Sequence, residues 1–258
     1  MERVGRKAVA CGTHFAPPPH GQAIAALALR QHGVISLSQL TAMGLSPRSV
    51  RGRVTTGRLH PVHRGVYAVG HSLLSREGRF MAAVLACGPG AVLSHRSAAC
   101  LWELRPTSRS RVEVTTPGQS GRSRPPIQIH RSRRLAADDV TATQGIPITT
   151  VARTLLDLAE VADRRALERA VERAESLRVF DPRALHDVLA RADGRRGAPA
   201  LQEVLVDYDN ASGLTRSELE LRFWSSAAPL PSHRRGSTRS SSWTTASLNL
   251  TSLGPNSA

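Results

Sequence analysis

Acidic residues are missing from a long N-terminal stretch of this 258-residue sequence. No Asp or Glu lies between Glu2 and Glu77, although that interval carries ten Lys and Arg. Residues 135–193, by contrast, contain eleven acids and eight arginines, and the whole chain has a formal net charge of +15. One end of the chain is therefore strongly positive while the middle is nearly balanced, which is typical of a protein with a nucleic-acid-binding end.

Lysine is almost absent as well, since Lys7 is the only lysine among 35 basic residues. Arginine presents a planar fork of donors that suits phosphates and guanine edges. An alternative explanation is a GC-rich coding sequence, which favours arginine codons over lysine codons. Codon bias does not remove acidic residues, however, so it leaves the uneven charge unexplained.

Long apolar runs and metal-ligand spacings are missing too. No apolar run approaches the roughly 18 residues of a membrane span, so we expect no membrane partner. Residues 1–21 lack the apolar stretch of a signal peptide and contain three prolines, which predicts a disordered leader on a cytoplasmic protein. The three cysteines are odd in number and lack metal-ligand spacing, so we expect reduced thiols, no metal and no cofactor.

Residues 22–71 carry the spacing of a winged helix-turn-helix. A first helix ends near Gly33, which suits a C-terminal glycine. Ser36 caps a second helix that runs through Met43, and Gly44 then makes a turn with Leu45 as its buried plug. A third helix starts at Ser46-Pro47, an N-cap followed by the proline favoured at the first helical position, and runs to about Thr56. Val50 and Val54 face inward.

The third helix is predicted to be a recognition helix for double-stranded DNA. Its outer face carries Arg48, Ser49, Arg51 and Arg53. The alternating residues that follow predict a two-stranded wing, with Leu59, Val62, Val66 and Val69 in the core. Near phosphates we expect Arg58, His60, His63 and Arg64. The alternative is a structural three-helix module whose arginines are merely solvated.

These residues resemble a known family. The pattern H-G-V-I-S-x-x-Q-L, G-L-S-P-R-S-V and G-R-L-H-P-V-H-R-G-V-Y-A-V-G is similar to the N-terminal domain of AbiEi-type antitoxins of type IV toxin–antitoxin systems. The resemblance implies an autorepressor that binds operator DNA, often at inverted repeats, and a toxin protein as partner. It also implies that a following domain carries the antitoxicity. A homodimer would match paired half-sites.

Residues 77–193 predict a second domain and an α+β fold class for the chain. Strands are expected in 111–117 and 126–133. Helices are expected around a Gly-Pro-Gly turn, over 146–177 with Thr149 or Thr150 as cap, and from Asp181-Pro182.

We expect Ser94 to cap a helix and not to pair with His95 as nucleophile and base, because neighbours at a helix start do not face each other. The motifs L-S-H-R-S-A-A-x-L-W and P-I-T-T-V-A-R-T-L-L-D-L-A resemble the usual continuation of the family, with an architectural or partner-binding role. The basic run Arg131, Arg133, Arg134 is a solvated face or an extension of the DNA contact.

Residues 194–223 predict a linker followed by a short helix within 194–205, and then a helical remnant. The stretch G-L-T-R-S-E-L-E-x-x-F resembles the first helix of the endonuclease domain of very-short-patch repair enzymes, in which Glu218 would match a glutamate near a metal site. A capping box from Thr215 to Glu218 explains the same residues without any nuclease. No Asp or Glu follows Glu220, so the carboxylates that a Mg²⁺ nuclease needs are missing. We therefore expect a truncated, inactive endonuclease remnant and no enzyme.

Residues 224–258 predict disorder, since fourteen of them are Ser or Thr and none is acidic. We hypothesise a frameshift that begins near Phe223 or Trp224. Read one base earlier, the codons of Trp243 and Thr244 contain an aspartate codon, and those of residues 248–252 give an E-x-D motif when both leucine codons end in G. Three functions stay open: a DNA-binding regulator, an inactivated nuclease, and a protein-binding antitoxin whose basic end is incidental.

Overall fold

The computed structural model describes residues 19–106, 111–117, 125–132 and 135–212. The fold is α+β, as predicted. The helices are α1 Pro19–Arg30, α2 Leu37–Ala42, α3 Pro47–Thr55, α4 Arg76–Cys87, α5 His95–Leu101, α6 Val151–Ala159, α7 Arg164–Ser176, α8 Pro182–Ala190 and α9 Gly197–Ser212. The strands are β1 Val34–Ser36, β2 Leu59–His63, β3 Val66–Val69, β4 Val92–Leu93, β5 Val112–Pro117, β6 Ile127–Ser132, β7 Val140–Thr143 and β8 Ile146–Thr149.

Residues 19–70, which we call the winged module, have the predicted helix-turn-helix with one strand more than expected. Ser36 caps α2 in a capping box with Gln39, and Ser46 caps α3 ahead of Pro47. The added strand, β1, pairs with β3, so the antiparallel sheet has the order β1-β3-β2. Its three residues are too few to show a period, and only pairing with β3 defines them.

The core of the winged module joins all of its helices to the sheet. The buried members are Ile24, Ile35, Leu40, Leu45, Val50 and Leu59. Leu45 is the predicted buried plug after the Gly44 turn, where φ is +86°. The first helix begins at Pro19, so residues 19–21 are helical and do not belong to the predicted disordered leader. Residues 1–18 lie outside the described part of the chain.

Residues 75–208, the second module, are built on a five-stranded sheet with the order β6-β5-β4-β8-β7. The β5–β6 and β4–β8 pairs are parallel, and the β4–β5 and β7–β8 pairs are antiparallel. Residues 146–149 were predicted as helix but form β8. The helix starts only at Thr150, whose side chain accepts from the backbone N–H of Arg153.

The β7–β8 hairpin was not predicted from the sequence, although the sequence contains a recognisable turn. Gln144 and Gly145 connect the two strands and have φ of +53° and +75°. Two positive φ values in a two-residue loop are those of a type I′ turn, which matches the twist of paired strands. The Gln-Gly pair between two β-branched runs was therefore a usable hairpin signal.

The stretch 194–205, predicted as a linker and a short helix, contains the start of α9, and the chain is part of the second module up to Tyr208. Helix α9 packs on α6 and α7 and buries Leu201, Val204 and Leu205. A Cβ on Gly197 would lie 2.7 Å from the carbonyl oxygen of Leu156, so the start of α9 touches α6. Glu218 and the tail 224–258 lie outside the described residues. No helix in the described ranges is long and apolar enough to span a bilayer.

The two modules share one hydrophobic core. Val34 of β1 and Val66 of β3 are buried in the same cluster as Phe80 and Met81 of α4. The ring of His32 donates from Nε2 to the Gln144 carbonyl oxygen at 2.7 Å, which ties the end of α1 to the β7–β8 turn. The predicted boundary at residues 71–77 is thus a packed junction, and the winged module is held against α4.

A buried ion network holds the helices of the second module to its sheet. Arg153 is 3% exposed and donates to Asp157 Oδ1 at 2.8 Å and to Asp139 Oδ2 at 2.7 Å. Arg191 donates to the other oxygen of Asp139 at 2.8 Å. Removing one member would leave a buried charge without its partner, which costs about 3–5 kcal/mol. The P-I-T-T-V-A-R-T-L-L-D-L-A motif supplies Arg153 and Asp157, so these residues are architectural.

Gly78→Ala should loosen the junction between the modules. A Cβ at Gly78 would lie 2.8 Å from the backbone oxygen of His32, a contact that no side-chain rotation relieves. We expect a loss of about 1–3 kcal/mol in unfolding free energy, the usual cost of overpacking, measured by urea unfolding.

Gly52→Ala is the matched control for this change. Gly52 is also helical, but nothing lies within 4 Å of its added Cβ. Alanine should therefore stabilise the protein there by up to about 1 kcal/mol, the helix-propensity gain. Equal effects of the two substitutions would contradict the close contact at Gly78.

Candidate functional site

The outer face of α3 is a strip of small and basic residues. At about 100° per residue, Val50 and Val54 share the inward face and Gly52 points away from them. Arg48, Ser49 and Thr55 lie beside Gly52 on that outward strip, and all four positions are exposed. Arg48 and Ser49 were predicted from the sequence, whereas Gly52 and Thr55 were not, although the helical period alone places them on this strip.

Arg51 and Arg53 lie on the two flanks of this strip. Arg51 is exposed. Arg53 is half-buried and donates from Nη1 to the Ser49 carbonyl oxygen at 3.3 Å, so it lies along the helix surface. The four predicted recognition residues are therefore on one helix, but Arg53 must leave this hydrogen bond before it can reach a neighbouring molecule.

The other predicted contacts lie on or beside the wing, the hairpin formed by β2 and β3. Arg64 is exposed in the two-residue turn Arg64-Gly65, and Arg58 is exposed just before β2. The turn is tied down, because the backbone N–H of Leu37 donates to the Gly65 carbonyl oxygen at 2.7 Å. His60 and His63 are half-buried, and burial lowers the pKa of His63, so its ring is neutral at pH 7.

The arginines of α3 and the wing form no ion pair with the carboxylates of the described residues. Among the described residues, no ion pair involves Arg48, Arg51, Arg53, Arg58 or Arg64, whereas Arg76, Arg96, Arg153, Arg164, Arg191 and Arg195 of the second module all form one. Exposed arginines without internal partners keep their charge available for phosphates. The gap in acidic residues seen in the sequence therefore becomes a positive surface on the winged module.

Ser94 occupies the predicted N-cap position of α5, but the expectations that its side chain caps the helix and does not face His95 were wrong. Ser94 makes no capping hydrogen bond to α5, and its Oγ lies 3.0 Å from Nδ1 of His95. The two side chains meet because His95 has φ of +51°, outside the ordinary helical region. Glu113 of β5 caps the helix instead, since its Oε2 accepts from the backbone N–H of Arg96 at 2.7 Å. Glu113 lies 17 residues after Arg96 in the sequence, so local spacing could not predict this cap.

The Ser94–His95 pair is nevertheless poorly suited to nucleophilic catalysis. Ser94 is fully buried, so a substrate cannot reach its hydroxyl. Burial lowers the pKa of His95 to about 4, with the nearby His130 acting in the same direction, and a base that weak accepts a proton poorly at pH 7. The His95 and His130 rings stack with centroids 3.5 Å apart. This arrangement holds the His95 imidazole in its neutral form and does not activate Ser94 as a nucleophile.

The structure describes some of the remaining predicted residues but not all of them. Arg131 is exposed at the end of β6, while Arg133, Arg134 and Glu218 lie outside the described residues. Within the described ranges, no group of three or more His, Cys, Asp or Glu side chains is arranged to hold a metal ion.

Comparison with known proteins supports the reading of the winged module. Residues 22–70 match a family described as "Transcriptional regulator, AbiEi antitoxin". The match covers the helix-turn-helix and the wing, and it ends before α4. No curated protein matches this chain.

Lowering the pH from 7 to 5 should reduce the stability of the protein. The pKa of His95 is about 4 in the folded state, against its ordinary value of 6.5. Between these values the unfolded chain binds more protons, so the free energy of unfolding falls as the pH falls. From pH 6.5 to 5 the loss is about 2 kcal/mol, measured by urea unfolding, and the lowered pKa of His63 adds to it.

His95→Asn removes this titration and keeps a residue that tolerates positive φ. The variant should show a clearly smaller change between pH 7 and pH 5 than the parent. The exposed His71, changed to Asn, serves as control and should leave the pH dependence as it is. An unchanged pH dependence in His95→Asn would show that the His95 ring is not held neutral by its surroundings.

Proposed function

We propose that this protein is an antitoxin-like transcriptional regulator that binds operator DNA through α3 and the wing. The observation that carries the proposal is the exposed arginine surface of the winged module, which no carboxylate in the described chain neutralises. The family match over residues 22–70 supports the regulator and antitoxin class. A helix with this exposure, set behind a glycine turn, fits the major groove as a recognition helix does.

Two kinds of contact follow from the geometry. Arg48 and Ser49 lie near the start of α3, the end that contacts base edges in helix-turn-helix proteins, and Arg51 lies on its flank. These residues would read bases. Arg58 and Arg64 flank the wing strands and would hold phosphates, with His60 and His63 beside them as further hydrogen-bonding groups.

The wider proposal follows from the regulator and antitoxin class. The second module would carry the antitoxin activity and bind a toxin protein. A homodimer would place two α3 helices on paired half-sites and so raise the affinity of a weak single module. The protein would act in the cytoplasm, on DNA upstream of its own gene, and without enzymatic activity.

Arg48→Gln should weaken binding to the DNA upstream of the gene by about 1–3 kcal/mol, the discrimination carried by one bidentate base contact. Its affinity for random DNA should change less. Arg64→Gln should weaken binding to both DNAs alike and reduce the salt slope by about one. Equilibrium binding at several salt concentrations, with the full chain, separates the two patterns.

Arg183→Gln is the matched control for these substitutions. Arg183 is exposed on α8 in the second module and its side chain lies outside the proposed surface. If all three variants lose the same amount of DNA affinity, general charge attraction explains the binding, and α3 is not a recognition helix. Metal-dependent nicking of DNA by the parent protein would instead support the nuclease alternative.

Gly52→Ala should separate the stability of α3 from its function. Alanine stabilises the helix, as described above, but it adds a methyl group to the centre of the outward strip. If this strip lies against DNA, the added methyl holds the backbone away and should weaken operator binding by about tenfold or more. A variant that is more stable and binds as tightly as the parent would show that another face of α3 meets the DNA.

A further inference from the structure

A cavity of about 410 Å³ opens beside His95 in the second module. Its lining includes His95, Thr115, Arg131, Glu160 and Arg195. A neighbouring cavity of about 320 Å³ shares Arg131, Glu160 and Arg195 with it, so the two form one cleft. Each volume lies in the range of small-molecule sites. Neither the winged module nor the proposed DNA contact uses this cleft.

His95 presents a hydrogen-bond donor to the cavity. Thr115 Oγ1 donates to Ser94 Oγ at 2.8 Å, so the proton of the Ser94 hydroxyl is free to go to Nδ1 of His95 at 3.0 Å. In the tautomer that this donation favours, the one proton of the neutral ring lies on Nε2. Among the described residues, Nε2 has no hydrogen-bond partner, although His95 is 2% exposed. A buried N–H without an acceptor costs free energy until a ligand supplies one.

Arg195 lines the same cavity with a second open donor. Its Nε donates to Glu160 Oε1 at 2.6 Å and its Nη2 to Asp157 Oδ1 at 2.9 Å, which fix the guanidinium. Nη1 is buried and has no partner within the described chain. Asp157 also has a buried oxygen without a partner, but Asp157 does not line the cavity. His130 also lines the cavity; its Nε2 has no hydrogen-bond partner among the described residues and lies 3.6 Å from Glu113 Oε1. The open atom of Arg195 is a donor.

The charges of the lining select the ligand class. The cavity beside His95 is lined by Arg131, Arg153 and Arg195 and by one carboxylate, Glu160, which is already paired with Arg195. The neighbouring cavity adds Arg191, Asp139 and Asp193, and Asp139 is paired with Arg153 and Arg191. Glu160, the one carboxylate of the His95 cavity, is occupied by Arg195, so a metal cation finds no open carboxylate in that lining, whereas an oxyanion meets the open N–H groups and the exposed Arg131 at the end of β6. Arginine and imidazole N–H groups are the usual donors to phosphate and carboxylate oxygens.

We propose that this cleft is a binding site for a small molecule that carries an oxyanion, with His95 Nε2 and Arg195 Nη1 as the buried donors. Arg131 adds charge at the exposed side. The left-handed backbone of His95, with φ of +51°, holds the ring in this position. Strained backbone of this kind is maintained where the surroundings over-determine it, and it is common at ligand sites. The site does not depend on DNA binding.

The test follows the His95 ring by NMR in the full chain with ¹⁵N-labelled histidine. At pH 7 the free protein should show the tautomer protonated on Nε2. Inorganic phosphate or acetate, added at constant ionic strength against sodium chloride, should shift the Nε2 signal saturably. A response to phosphate alone identifies a phosphorylated ligand, and a response to acetate alone identifies a carboxylate. Either response supports the site.

Arg131→Gln should weaken the binding of the responding anion roughly tenfold, the loss expected when a hydrogen bond to a charged group is removed. The exposed Arg183, changed to Gln, should leave it unchanged. Arg131 is exposed, so its substitution removes no buried side chain. The proposal is overturned if neither anion shifts the signal saturably, if chloride gives the same shift, or if Arg131→Gln and Arg183→Gln bind alike.

Discussion

The contact between the wing sheet and α4 determines how the rest of the molecule is arranged. Val34 and Val66 belong to the winged module, but their side chains are buried in the larger cluster that contains Phe80. A module of about fifty residues buries little surface of its own and is marginal alone, so a shared core contributes directly to its stability. Gly78 allows this contact, because only a residue without Cβ fits 2.8 Å from the His32 carbonyl oxygen.

The small core of the winged module gives the arginine surface a fixed base. Helix α3 packs through Val50 on the same core that holds β2, and the wing turn is tied to Leu37. The exposed arginines are therefore carried by a scaffold with little freedom, which reduces the entropy lost when they meet a partner. The second module shows the opposite use of arginine, since Arg153 and Arg195 are paired with carboxylates and hold helices in place.

The sequence predicted the winged module well because its signals are local. Ser36, Gly44 and Ser46-Pro47 punctuate the helices within a few residues, and the inward valines follow the helical period. In the second module the deciding contacts are distant in sequence. Glu113 caps α5 from β5, β4 has only two residues and exists through its neighbours, and α9 follows a Gly- and Arg-rich stretch that resembles a linker. The Ser94–His95 contact depends on one positive φ that no pattern indicates.

Hydrogen–deuterium exchange of the full chain, with and without the DNA upstream of its gene, tests the account most directly. The account predicts that DNA protects residues 46–64, the segment that contains α3 and the wing turn, more than any other described segment, and that added salt removes this protection. Protection centred on the second module, or none in α3 at low salt, would contradict the assignment of α3 as the DNA-reading helix.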